Sequence, residues 1–109
     1  MKVLIVVTHL LGTGHLSRAL TLARAFNEAG HDVRLVSGGM PAPQLDQGEV
    51  DVVQLPPVRS DGTNFARLLD ETARPADTAY LARRRAALVA ALDPGPDVVI
   101  TELFPFGRR

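Results

Sequence analysis

The sequence contains no cysteine. That excludes a disulfide framework and any metal site built from thiolates, and it fits a reducing compartment, so the cytoplasm is the expected location. It also lacks a net charge, because 12 basic residues balance 12 acidic ones. No overall electrostatic pull favours nucleic acid or an anionic membrane, and partner choice has to come from a local site. No apolar run approaches the roughly 20 residues of a membrane-spanning helix. The start, Met1 and Lys2 followed by Val3 to Val7, is too short for the apolar core of a signal peptide. Peripheral contact with the inner face of a membrane is the one membrane association left open. There is no internal repeat and no low-complexity tract, and His9, His15 and His31 do not have metal-ligand spacing. Neither a metal nor a cofactor is expected.

What is present is enough for one small domain: 109 residues, of which 46% are hydrophobic. Lys2 to Thr8 is nearly all β-branched or leucine without alternation, which reads as a parallel strand covered on both faces. From Leu16 the apolar residues Leu16, Ala19, Leu20, Ala23 and Phe26 follow a helical period, and Gly30 supplies a stop near Ala29. Asp32 to Ser37, closed by Gly38-Gly39, is a second strand, so the unit reads as a right-handed parallel crossover. Pro41 to Gln47 is a connector holding about one helical turn. Val50 to Leu55 is a third strand, stopped by Pro56-Pro57. Within Val58 to Asn64, the residues Arg59 to Thr63 form a polar loop of the kind that carries either nothing or a ligand.

Phe65 to Thr72 is weakly helical and is interrupted by Pro75. A stronger helix is expected from Asp77 to Leu92, with Tyr80, Leu81, Leu88 and Leu92 among its apolar positions and Arg83 to Arg85 on its exposed side. Pro94-Gly95-Pro96 ends it, and Asp97 to Thr101 begins a fourth strand. A doubly wound sheet normally continues from such a strand into a covering helix, so the expectation is an α/β domain incomplete at its C-terminal end.

The turn Gly12-Thr13-Gly14-His15 joins the first strand to the first helix, the place where α/β proteins put their chemistry. A phosphate-binding P-loop is excluded, because His15 and Leu16 stand where a lysine and a serine or threonine are required. A dinucleotide fingerprint is disfavoured, because Ser17 replaces the third glycine and no acidic residue ends the second strand. A plain helix entry, with the glycines serving only the backbone, stays open. Beside it stands a chemical reading. The partial positive charge of a helix N-terminus favours the neutral imidazole, which accepts a hydroxyl proton, while the uncapped amides hold an anion and the glycines admit a ligand.

Gly12-x-Gly14-His15-x-x-Arg18, a Leu/Ala-rich helix, Ala29-Gly30-His31 and Ser37-Gly38-Gly39 together resemble the N-terminal domain of GT-B fold glycosyltransferases. The likeness is to the MurG-like group and to bacterial predicted glycosyltransferases with a G-x-G-H-x-x-R turn. The tail Thr101 to Arg109, with its Pro105-Phe106-Gly107-Arg108, resembles the same group. The resemblance implies a Rossmann-like parallel sheet of about four strands with helices on both faces, residues 1–109 being the acceptor-side half of a two-domain, metal-independent enzyme. By that likeness His15 is the general base and Glu102, past the end of the fourth strand, flanks the cleft as a second catalytic candidate. Gly12, Thr13 and Gly14 shape the loop facing the donor diphosphate, and Arg18 orients that loop or meets a carboxylate.

The implied partners are a nucleotide-sugar donor, held by a missing C-terminal domain or a partner subunit, and a hydroxyl acceptor, a lipid-linked one included. Leu103, Phe104 and Phe106 beside Arg108 and Arg109 suit either packing on that missing part or docking on a membrane. Two other readings stand beside transfer. One is a non-catalytic acceptor-binding or membrane-recruiting subunit of a split glycosyltransferase, or a truncated remnant. The other is a nucleotide-sugar hydrolase or epimerase on the same fold.

Overall fold

Five consecutive aliphatic side chains, Val3 to Val7, can be kept from water only in a strand with neighbours on both edges and cover on both faces. The computed structural model, which describes residues 1–60, 62, 68–93 and 95–102, has that arrangement. Lys2–Val7 forms β1, and every residue after Lys2 in it is buried. It is followed by α1 (Gly14–Glu28), β2 (Asp32–Ser37), β3 (Asp51–Gln54), α2 (Thr78–Ala91) and β4 (Val98–Glu102). The strands make one parallel sheet in the order β3-β2-β1-β4. Alternate residues of β1 serve opposite layers. Val3, Ile5 and Val7 pack with Leu16, Ala19, Leu20 and Ala23 of α1, while Leu4 and Val6 pack with Leu88 and Ala91 of α2.

The ends of the helices are set by local chemistry. Gly30, at φ 92°, closes α1, its N–H bonding the carbonyl of Asn27 while the His31 N–H bonds that of Phe26. This is a Schellman stop, and the His31 ring completes it edge-on to Phe26 at 5.9 Å. Asp77 caps α2 by accepting the Tyr80 N–H at 2.8 Å, and the Tyr80 hydroxyl donates to the Pro57 carbonyl at 2.6 Å. That second bond ties α2 to the chain leaving β3.

Four expectations are corrected. α1 begins at Gly14, two residues before its apolar stripe, so Gly14 and His15 form its first turn outside the buried face. β4 runs one residue further than expected, so Glu102 belongs to the strand and is not beyond it. Of the weak helix at 65–72, residues 65–67 lie outside the described residues. The rest is a bridge at Leu69 and a turn in which the Asp70 carboxylate accepts from Thr72 and Arg74.

The fourth correction is Arg84, which is wholly buried while Arg83 and Arg85 are exposed. It falls on the stripe Tyr80, Arg84, Leu88, Ala91, so its period outweighs its charge. Its Nη2 donates to Thr8 Oγ1 at 3.0 Å and to the Gly38 carbonyl at 3.2 Å, pinning together the chain just past β1 and β2. Burial pulls its pKa down to about 10, still well above neutral, so the cation persists. A Cβ on Gly38 would stand 2.1 Å from the same Nη2, which is why only glycine fits there. Urea unfolding should show Arg84→Ala losing about 2–4 kcal/mol, the range for emptying a buried, hydrogen-bonded position, and Arg85→Ala changing stability by less than about 0.5 kcal/mol. Equal effects of the two would contradict the assignment.

Candidate active site

β1 lies between β2 and β4, and the chain leaves β1 towards β2 but returns to it from the other side as β4. Their carboxyl ends flank a topological switch point, where a parallel sheet opens a crevice. The register sets Val7, the last residue of β1, opposite Glu102, the last of β4. The turn that leaves β1 therefore comes back past the Glu102 side chain. Gly12 takes φ 71° in that turn, a conformation that favours glycine. Thr13 is the residue before α1, but its side chain makes no capping bond and the first turn of the helix holds no acidic residue. Space above the turn is open, since a Cβ on Gly12 or Gly14 would meet no atom within 4 Å.

His15 and Arg18, three residues apart on α1, share one helix face. Both reach Glu102. His15 Nδ1 lies 3.1 Å from Glu102 Oε1, and Arg18 Nη2 donates to the same oxygen. Arg18 Nη2 is also 3.2 Å from His15 Nδ1. The Arg18 hydrogen bond above all, with a lesser contribution from His15, holds the Glu102 carboxyl below its ordinary 4.5, against an opposing effect of burial that outweighs the His15 hydrogen bond alone. The His15 and Glu102 side chains are 40% and 23% exposed, so the cluster is open to a ligand.

Of the residues expected to act together, His15, Arg18 and Glu102 thus meet, and Gly12, Thr13 and Gly14 lie directly beside them in the chain. His9 is buried just past β1 with its ring against Gly39, where a Cβ would stand 2.5 Å from Nδ1. Among the described residues no group of three or more His, Asp or Glu could hold a metal ion. The aromatic and basic tail, residues 103–109, lies outside the described residues, as do Asp61, Thr63 and Asn64 of the polar loop.

A glycine-turned helix entry with a histidine and a carboxylate at a switch point suits several chemistries, and comparison with known families narrows them. A family model described as a glycosyl transferase 4-like domain matches residues 13–108. The chain belongs to this glycosyltransferase family. The match begins one residue after Gly12 and takes in His15, Arg18 and Glu102. No curated protein and no solved structure matches the chain. Glycosyltransferase-family membership brings a sugar donor and an acceptor as the general substrate classes. Among the described residues no helix is long and apolar enough to cross a membrane.

The ion pair carries a pH signature. A carboxyl whose pKa is lowered by folding contributes stability that is complete above its ordinary value and is lost as the pH falls through its folded value. Glu102→Gln should therefore be less stable than the parent at pH 7 by about 0.5–1 kcal/mol. The two unfolding curves should converge as the pH drops below 4.5. A difference that persists unchanged into strong acid would contradict the pairing.

Proposed function

We propose that residues 1–109 are the acceptor-side domain of a MurG-like glycosyltransferase that moves a sugar from a nucleotide-sugar donor to an acceptor hydroxyl, with His15 as general base. The observation that carries this reading is the position of His15 Nδ1, 3.1 Å from Glu102 Oε1 at the mouth of the switch-point crevice. A carboxylate only accepts and a guanidinium only donates, so Glu102 bonds Nδ1 when that nitrogen carries the proton, and Arg18 bonds it when it does not. Arg18 already has Glu102 Oε1 to donate to. The proton belongs on Nδ1, and the lone pair on Nε2 is left for the acceptor.

The chemistry then balances. The acceptor oxygen attacks the anomeric carbon as its proton passes to His15 Nε2. The bond from that carbon to the diphosphate breaks, and the nucleoside diphosphate leaves with the electron pair. Glu102 stabilises the imidazolium that forms, and Arg18 keeps the carboxylate ionised and aimed. The uncapped amides at the start of α1, reached across Gly12, Thr13 and Gly14, face the departing diphosphate. The donor's base and sugar are held in this reading by a second domain or a partner subunit, since a transferase must position both substrates at once. The lipid-linked acceptor and the peripheral membrane contact expected from the tail belong to the same proposal.

The test is nucleoside diphosphate release from a panel of nucleotide-sugars and hydroxyl acceptors, with the donor-binding half supplied. His15→Ala should lower kcat about 10²- to 10⁴-fold, the usual contribution of a positioned general base, and Glu102→Gln should cause a smaller loss. Unchanged turnover in His15→Ala would remove His15 from the mechanism. Release of free sugar at an equal rate without acceptor would replace transfer by hydrolysis.

A further inference from the structure

On the β2 side of the Gly12 turn, away from Glu102, lies an open-mouthed cavity of about 270 Å³. His9, Leu10, Gly12, Met40, Arg59 and Ser60 are among the residues that line it, and none of its lining among the described residues is a carboxylate. The cavity is built into the sheet's end and is not a gap between loose loops. The Ser60 N–H bonds the Leu10 carbonyl at 3.0 Å, the Val58 N–H bonds that of Gly38 at 3.0 Å, and Arg59 exchanges two backbone bonds with Leu69 at 2.9 Å each.

Its polar side chains are unequally satisfied. Ser60 is 3% exposed, and its Oγ accepts the Gly62 N–H at 3.0 Å, but its own proton has no acceptor among the described residues. The half-buried Arg59 guanidinium has neither an ion pair nor a hydrogen bond among the described residues. Burial, with a smaller push from nearby His15, lowers the His9 pKa below its ordinary 6.5, the Met40 backbone opposing. His9 is accordingly neutral at pH 7, and its Nδ1 makes no hydrogen bond of normal geometry. Among the described residues the cavity thus presents the Arg59 cation without a counter-charge, beside a buried hydroxyl with a proton to give. A partly desolvated guanidinium without a counterion is costly, and an anionic group with two oxygens satisfies it bidentately.

We propose that this cavity is a subsite for a carboxylate or phosphate group of the acceptor, anchored by Arg59 and assisted by the Ser60 hydroxyl. The inference rests on the transferase reading for the word acceptor, and on the cavity alone for the anion. Its volume falls just short of the roughly 300–1,000 Å³ of pockets that enclose a drug-sized ligand, so it takes one charged group with its neighbouring atoms, not a whole nucleotide-sugar. Thr13, which also lines it, stands two residues before His15. A group held at Arg59 therefore leaves the rest of a small acceptor within reach of the base.

The experiment is an NMR titration of the chain with inorganic phosphate, with acetate, and with glucose as the neutral control. Saturable shifts are expected at the Gly12, Thr13 and Ser60 amides and the His9 ring with both anions and not with glucose. Arg59→Gln should weaken that binding at least tenfold at an unchanged unfolding temperature, and Arg59→Lys should weaken it less. Anion binding as tight in Arg59→Gln as in the parent, or no saturable shift at these residues, would overturn the subsite. Failure of the two readings is distinguishable. Arg59-dependent binding that survives in His15→Ala, in a protein that transfers no sugar, supports the subsite and removes the transferase. Transfer to an anionic acceptor with the same KM in Arg59→Gln removes the subsite and leaves the transferase.

Discussion

A strand enclosed on both edges and both faces can meet a substrate only at its end. β1 is such a strand, with β2 and β4 beside it, α1 and α2 over it, and no residue after Lys2 exposed. Every device at the carboxyl end of the sheet follows from that enclosure. The Gly12 turn is where the chain leaves the enclosed strand, Arg84 clamps the chain just past β1 and β2 from the α2 side, and Glu102 is brought to the exit by the register of β4 against β1. Loss of the central strand's packing would dissolve the site without touching any of its residues.

The turn also divides two environments. Towards β4, His15, Arg18 and Glu102 share a hydrogen-bonded cluster that is open to solvent and balanced in charge, with the carboxylate held ionised by the guanidinium. Towards β2, Arg59 has no counter-charge among the described residues and lines one cavity with a neutral, buried His9. Proton transfer needs the first kind of surroundings, where an imidazole is oriented by a carboxylate, and anchoring an anion needs the second. In the proposed reading a single glycine-turned loop serves both, its open backbone separating them by only a few residues.

Much of this was legible in the chain. β1, α1 and β2 announced themselves because a continuous apolar run, a 3.6-residue period and a glycine stop each have one good structural solution. His15, Arg18 and Glu102 were expected around one cleft, and the structure brings them into contact. Arg84 was misread because three adjacent arginines look like a solvated face, although its spacing from Tyr80 and Leu88 marked the buried stripe. The early start of α1 was hidden because periodicity registers only the residues of the buried apolar stripe. The Arg59 cavity was not legible, since His9, Met40 and Ser60 come from three separate loops joined by long-range backbone bonds that no local pattern encodes.

The central claim is that Glu102 fixes the proton of His15 on Nδ1 and leaves Nε2 as the base. ¹⁵N chemical shifts of the His15 ring, measured where the imidazole is neutral, read the tautomer directly. The account predicts the Nδ1–H form in the parent chain and its loss of preference in Glu102→Gln. An Nε2–H tautomer in the parent, with Nδ1 accepting from Arg18, would contradict it.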